Sequence, residues 1–137
     1  MMVQPYLFFD GRTDEAARFY QTALGAEIVE RLTFGDAPEP PPPGMLPPGS
    51  EGKVMHMTLK IGDSLVMVSD GHCGGNAAFQ GFSLTITLPD PAAVDRVADR
   101  LADGGQITMP LGETFFARRF GMLTDRFGVA WILIAPR

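Results

Sequence analysis

Residues 81–101 read GFSLTITLPDPAAVDRVADRL, and this stretch decides the fold. Phe82, Leu84, Ile86 and Leu88 alternate with Ser83, Thr85 and Thr87, the period-2 pattern of a strand with one buried face. Asp90 is placed to cap a helix, with Pro91 at its first position, where the missing N–H costs nothing. Val94, Val97, Ala98 and Leu101 form the helix's buried stripe, and Gly104-Gly105 ends it. Three further strands are expected at Gln106 to Met109, Arg119 to Leu123 and Val129 to Ile134, the last two joined by a turn at Asp125 to Gly128. The second half therefore reads β-α-β-β-β.

Working outward, the first half repeats this pattern. The run VQPYLFF at 3–9 reads as a strand ended by Asp10-Gly11. A helix follows, capped by Thr13 or Asp14, with Ala16, Ala17, Phe19, Tyr20, Ala23 and Leu24 as its apolar stripe and Gly25 as its C-cap. Asp10, Asp14 and Glu15 suit the positive end of the helix. Strands are expected at 26–34, 54–61 and 64–69, the last two as a hairpin across Gly62-Asp63. Gly11 matches Asp90 and Ala26 matches Gly105 at an offset of 79, whereas Met67 matches Ile132 at an offset of 65. The first half thus carries 14 extra residues, and Gly35 to Gly52, with seven prolines, is where they fit. Proline cannot join a sheet ladder, so that segment reads as a stiff connecting loop rather than as a proline-rich docking motif. The expected fold is α+β, with two βαβββ modules related by pseudo-twofold symmetry that form a curved mixed sheet around a cleft. The first module spans 1–72, with the proline-rich loop at 35–52, a linker spans 73–80, and the second module spans 81–137.

Composition narrows the function. The chain has 137 residues, a net charge of −5 and only 11 lysines and arginines, which argues against nucleic acid and favours small-molecule or protein partners. The single cysteine, Cys73, forbids an internal disulfide and fits a reducing compartment. No basic region precedes the short apolar stretch at the N-terminus, and no segment approaches the ~18 apolar residues of a membrane span. We therefore expect no membrane partner and a soluble, cytoplasmic protein.

Alternation sorts the strand residues by face. If each helix covers the more apolar face, Gln4, Tyr6 and Phe8, then His56, Thr58 and Lys60, then Ser83, Thr85 and Thr87 lie on the other. Should the modules curve around each other, these faces, with Trp131 or its neighbours, would line one groove. Such a groove is apolar and aromatic with a few hydroxyl, amide and imidazole groups, the make-up of a small-ligand pocket. The alternative is that these side chains pack against one another or against a dimer partner.

The motifs PYLFFDG at 5–11, EAARFY at 15–20, ALGAE at 23–27, VMHMTLKIGDSLVMVSD at 54–70, LADGG at 101–105 and ETFFARRFGMLTDRFGVAW at 113–131 agree in order and spacing with one family. Through them the chain resembles the vicinal oxygen chelate superfamily of glyoxalase I, bleomycin-resistance proteins and extradiol dioxygenases, and within it the PhnB-like subfamily, also called the 3-demethylubiquinone-9 3-methyltransferase domain. It departs from that family at Phe116, Ala117 and Arg126, where tryptophan, glycine and proline are common. The resemblance places Phe116 at the pocket rim. No strand here is followed by a glycine-rich loop that would hold S-adenosylmethionine, so a methyltransferase is not expected.

Metal-using members take one ligand from the first strand and one from the last strand of each module. By resemblance these positions fall near Gln4, Met67, Ser83 and Ile132. Met and Ile cannot bind a hard divalent cation, and Gln and Ser are weak neutral ligands. We therefore expect no metal or other cofactor; a divalent metal would need donors other than the missing standard set. His56 matches a histidine frequent in the subfamily, and alone it cannot hold zinc or iron. Imidazole is a common general base, so His56 is the one catalytic candidate, beside the simpler role of a cavity histidine that binds a hydroxyl or carbonyl. His72 and Cys73 read as a chance pair on a glycine-rich segment. One of Arg118 and Arg119, with Arg119 assigned to the pocket, is expected to meet an anionic ligand, with a surface charge as the alternative. The expected pocket is Gln4, Tyr6, His56, Thr58, Ser83, Thr85, Phe116, Arg119 and Trp131. The expected function is binding of a small, partly aromatic ligand by a homodimer; the alternative is a metal- or His56-assisted lyase, isomerase or dioxygenase-like enzyme.

Overall fold

Two four-stranded mixed sheets arise from the two alternating halves, each with one helix, in a computed structural model that describes residues 1–137. The chain divides into two units, Met1–Ala77 and Ala78–Arg137. The first unit contains β1 (Tyr6–Phe8), α1 (Thr13–Leu24), β2 (Glu27–Thr33), β3 (Val54–Ile61) and β4 (Ser64–Ser69), in sheet order β1-β4-β3-β2. The second contains β5 (Leu84–Thr87), α2 (Pro91–Leu101), β6 (Gln106–Gly112), β7 (Ala117–Thr124) and β8 (Ala130–Pro136), in order β5-β8-β7-β6. In both, the first strand runs parallel to the last and the other pairs are antiparallel. Tyr6 pairs with Met67 as Thr85 pairs with Ile132, so the backbone repeats the offsets of 79 and 65 seen in the sequence. No helix is long and apolar enough to cross a membrane.

Burial follows the alternation in the first unit. Leu7, Met57, Leu59, Val66 and Val68 are buried together with Ala16, Ala17, Tyr20 and Ala23 of α1, and Phe9 meets the Tyr20 ring at 6.1 Å. Full burial of a large apolar side chain is worth about 1.5–3 kcal/mol. An exposed ion pair such as Arg31–Asp14 or Arg12–Glu15 is worth about 0–1 kcal/mol, so apolar packing, not charge, docks α1.

The two helices start differently. Asp90 caps α2 as expected, its Oδ1 accepting from the Ala93 N–H at 2.8 Å, with Pro91 in the first turn. The expectation for α1 is corrected: its N-cap is Arg12, with no side-chain cap of its own. The acceptor comes from the far end of the unit. Asp70, buried after β4, takes the N–H groups of Gly11 and Thr13 on Oδ1, both at 2.9 Å, and that of Val54 on Oδ2 at 2.7 Å. One carboxylate thus ties α1 to the start of β3.

Several strand limits move. β1 and β5 are shorter than the apolar runs that contain them, and Phe82, expected on the helix side, lies outside β5 and is exposed. β6 runs on through Pro110, which a sheet tolerates because β6 is an edge strand. The proline-rich segment holds no strand; 3₁₀ turns at Phe34–Asp36 and Ser50–Gly52 close its base, where the Phe34 N–H donates to the Lys53 carbonyl at 3.1 Å. Beyond β4, Asp10 accepts from the N–H groups of Gly74 at 2.7 Å and Asn76 at 2.9 Å, so residues 74–76 are pinned to the β1–α1 turn.

Candidate functional site

Each sheet has one face under its helix and one helix-free face, and the register lists which side chains share the latter. In the first unit one row runs Tyr6, Met67, Thr58, Glu30 across β1, β4, β3 and β2. The next brings Phe8 beside Ser69, and His56 beside Leu32. Tyr6 and Phe8 are exposed and stack with ring centroids 5.0 Å apart. The Tyr6 hydroxyl lies 2.9 Å from His56 Nδ1, and His56 Nε2 lies 3.1 Å from Thr58 Oγ1. Both imidazole nitrogens are therefore held, and the three polar groups form one chain. Burial pushes the Tyr6 phenol above its ordinary pKa, more than the Ser69 hydroxyl lowers it, so the phenol keeps its proton at neutral pH. Which nitrogen carries the hydrogen sets the direction of the chain: with Nε2–H, Tyr6 donates to His56 and His56 donates to Thr58.

The second unit repeats the frame without this chemistry. Its corresponding row is Thr85, Ile132, Met122 and Met109, and Phe120, beside Ile134, stands where the first unit has His56. Phe116 is exposed and meets both Phe115 and Phe120 edge to face at 5.2 Å. Phe120 belongs to this face and was missed. Stepping two residues back along β7 from Met122, the counterpart of Thr58, reaches it.

Of the remaining expected residues, Gln4 is part-buried two positions ahead of β1, Ser83 is exposed just ahead of β5, and Thr85 is exposed on it. Two expectations are corrected. Trp131 pairs with Leu84 and Leu123 on the buried face, 3% exposed, and its indole N–H donates to Asp125 Oδ2 at 2.9 Å. Ile132 takes the helix-free position in its place. Arg119 pairs with Ala135, also on the buried face, and its guanidinium meets Asp95 of α2 at 2.9 Å. Arg118 donates instead to the carbonyls of Pro136 and Pro89. Alternation holds here: Arg119, Gly121 and Leu123 face Ala135, Leu133 and Trp131 of the buried set, and the bulge between Ala117 and Arg119 interrupts the register only ahead of them.

The same register decides how well a divalent metal fits. Met67 lies beside Tyr6 and Ile132 beside Thr85, so the last-strand positions offer a thioether and a hydrocarbon. Neither suits a hard cation, and no three His, Cys, Asp or Glu side chains gather elsewhere. The residues present do not fit the superfamily's metal.

Two βαβββ units in one chain, each sheet with a helix-free face, define a class of small α+β domains. The sequence profile of the Glyoxalase/Bleomycin resistance protein/Dioxygenase superfamily matches residues 3–133, and the chain belongs to that superfamily. It is 36% identical over 140 residues to Protein YjdN of Escherichia coli K12, covering 97% of this chain and 94% of that one. Protein PA1353 of Pseudomonas aeruginosa is a similar solved structure, with 38% identity, a TM-score of 0.84 and coverage of 99% of this chain and 98% of that one. The PhnB protein of Bacillus cereus is another, with 32% identity, a TM-score of 0.79 and coverage of 98% and 99%.

Proposed function

We propose that the chain binds a small, partly aromatic ligand on the helix-free face of its first sheet, without the superfamily's metal. The observation that carries this reading is the Tyr6–His56–Thr58 chain beside the stacked Tyr6 and Phe8 rings. A flat ring gains about 0.5–1.5 kcal/mol from aromatic stacking beyond its buried area. A carbonyl or hydroxyl on that ring then finds an oriented donor at one end of the chain and an acceptor at the other. The Bacillus cereus neighbour carries a provisional 3-demethylubiquinone-9 3-methyltransferase name. Methyl transfer is not what we propose: β1 leads to its helix through Asp10-Gly11 and β5 through Pro89-Asp90, neither a glycine-rich cofactor loop.

Isothermal titration with benzamide, phenol and 4-hydroxyacetophenone tests the reading. At least one should bind, and Tyr6→Phe and His56→Ala should each weaken it about tenfold, the loss of one hydrogen bond at about 1.4 kcal/mol. No binding by any of the three, or variants that bind like the wild type, would refute it.

A second reading, an enzyme that uses His56, is favoured by the fixed orientation of its imidazole, which would exchange protons with substrate through the Tyr6 or Thr58 hydroxyl. Elemental analysis after equilibration with manganese, iron, nickel and zinc checks whether that enzyme is metal-assisted. We expect less than stoichiometric metal in the wild type and in His56→Ala. Stoichiometric metal lost in His56→Ala would replace the binding-protein reading with a metal enzyme.

A further inference from the structure

We propose that Tyr6, His56 and Thr58 form a proton relay that enolises small, neutral aryl ketones held on the helix-free face of the first sheet. This rests on the ligand-binding reading above and goes beyond it to a reaction. Three observations support it. The chain is continuous, with contacts of 2.9 Å and 3.1 Å on opposite sides of one imidazole. Both of its ends are hydroxyls, so one end can give a proton while the other receives one. Both end residues share a register row with Met67 between them, which puts them on the same side of the sheet. The charges nearest by register are Glu30, beside Thr58, and Lys60, beside Glu27. Lys60 is matched by Glu27, which leaves the negative Glu30, and the groups that would touch the ligand are uncharged hydroxyls, so a neutral ketone suits the face better than a carboxylate.

The step balances without an oxidant or a metal. With hydrogen on Nε2, Tyr6 donates to Nδ1, Nε2 donates to Thr58, and Thr58 donates to the ketone oxygen. The carbon next to the carbonyl then loses its proton to Tyr6 Oη, and the Tyr6 proton passes to Nδ1. The Nε2 proton passes to Thr58 Oγ1, and the Thr58 proton passes to the ketone oxygen. The C–H bonding pair becomes the C=C bond, and the C=O π pair takes up the arriving proton. The imidazole finishes in its other tautomer, with every hydrogen bond reversed, and the return reaction restores it. Tyr6 and Thr58 touch the substrate; His56 relays between them.

The test is hydrogen exchange of phenylacetone in D2O, followed by proton NMR as loss of the methylene signal. The abstracted proton sits on the Tyr6 hydroxyl, where D2O replaces it with deuterium, so each return that follows this exchange leaves deuterium on carbon. The wild type should exceed the buffer rate by about 10²-fold, at the low end of general acid–base catalysis. Tyr6→Phe and Thr58→Val should each fall to near the buffer rate at saturating ketone, whereas Thr58→Ser, which keeps the hydroxyl, should retain exchange. Thermal melts confirm that the variants fold. Benzamide, which has no enolisable carbon, separates the two ideas. Benzamide binding with exchange at the buffer rate, or undiminished exchange in Tyr6→Phe or Thr58→Val, would overturn the relay alone. Failure of phenylacetone to bind while one of the three titrated ligands binds would overturn the relay alone, and binding by none of the four would overturn the relay and the ligand reading together.

Discussion

Replacing Asp70 with alanine is expected to lower stability by about 3–5 kcal/mol, a large share of the roughly 5–15 kcal/mol a domain has. Its carboxylate is 1% exposed and accepts three backbone N–H groups, from Gly11, Thr13 and Val54. Each donor left unpaired in the interior costs about 1–3 kcal/mol, and water entering the gap recovers part of the total. The loss falls on one junction, where α1 starts and β3 begins, and α1 has no side-chain cap to replace it. Urea unfolding measures the effect. Asp70→Asn, with one acceptor oxygen and an amide that faces donors, should fall between wild type and alanine. An alanine variant within 1 kcal/mol of wild type would show that water serves these donors equally well.

Trp131→Ala is expected to cost about 3–5 kcal/mol, the usual range for removing a large buried ring. The indole is packed beside Leu84 and Leu123, and it donates to Asp125, which also accepts from the N–H groups of Phe127 and Val129. Trp131→Phe keeps most of the ring and loses the indole N–H, so its cost should be about 1–2 kcal/mol. Binding separates the core role from a pocket role. Trp131→Phe should leave the affinity for the best of the three titrated ligands within twofold of wild type. A tenfold loss with unchanged stability would return Trp131 to the ligand site.

The correction at Trp131 shows where periodicity stops being informative. On β8 the residues alternate Trp131, Ile132, Leu133, Ile134, Ala135, apolar at every step, so hydrophobicity alone does not say which set meets the helix. On β5, where threonines alternate with aliphatics, the same rule placed Thr85 and Thr87 on the helix-free face. The internal repeat was the better guide for β8, because matching Met67 to Ile132 puts Ile132, not Trp131, on that face. Counted back from Leu123 through Gly121, alternation puts Arg119 with the buried set, but the run FFARRF by itself does not say which of its two arginines that is.

Local pattern was enough to determine the duplicated βαβββ order, the limits of β3, β4 and α2, the Asp90 cap, and the shared face of Tyr6, His56 and Thr58. These depend on periods of 2 and 3.6 residues and on neighbours within one turn, which a sequence displays directly. Only the tertiary structure decided that Tyr6 bonds His56 across 50 positions, that Asp70 caps a helix 57 positions before it, and that Arg119 turns to Asp95. Those contacts depend on strand register and on how each helix docks. Distant segments set both only when they pair, so no local window of sequence contains them.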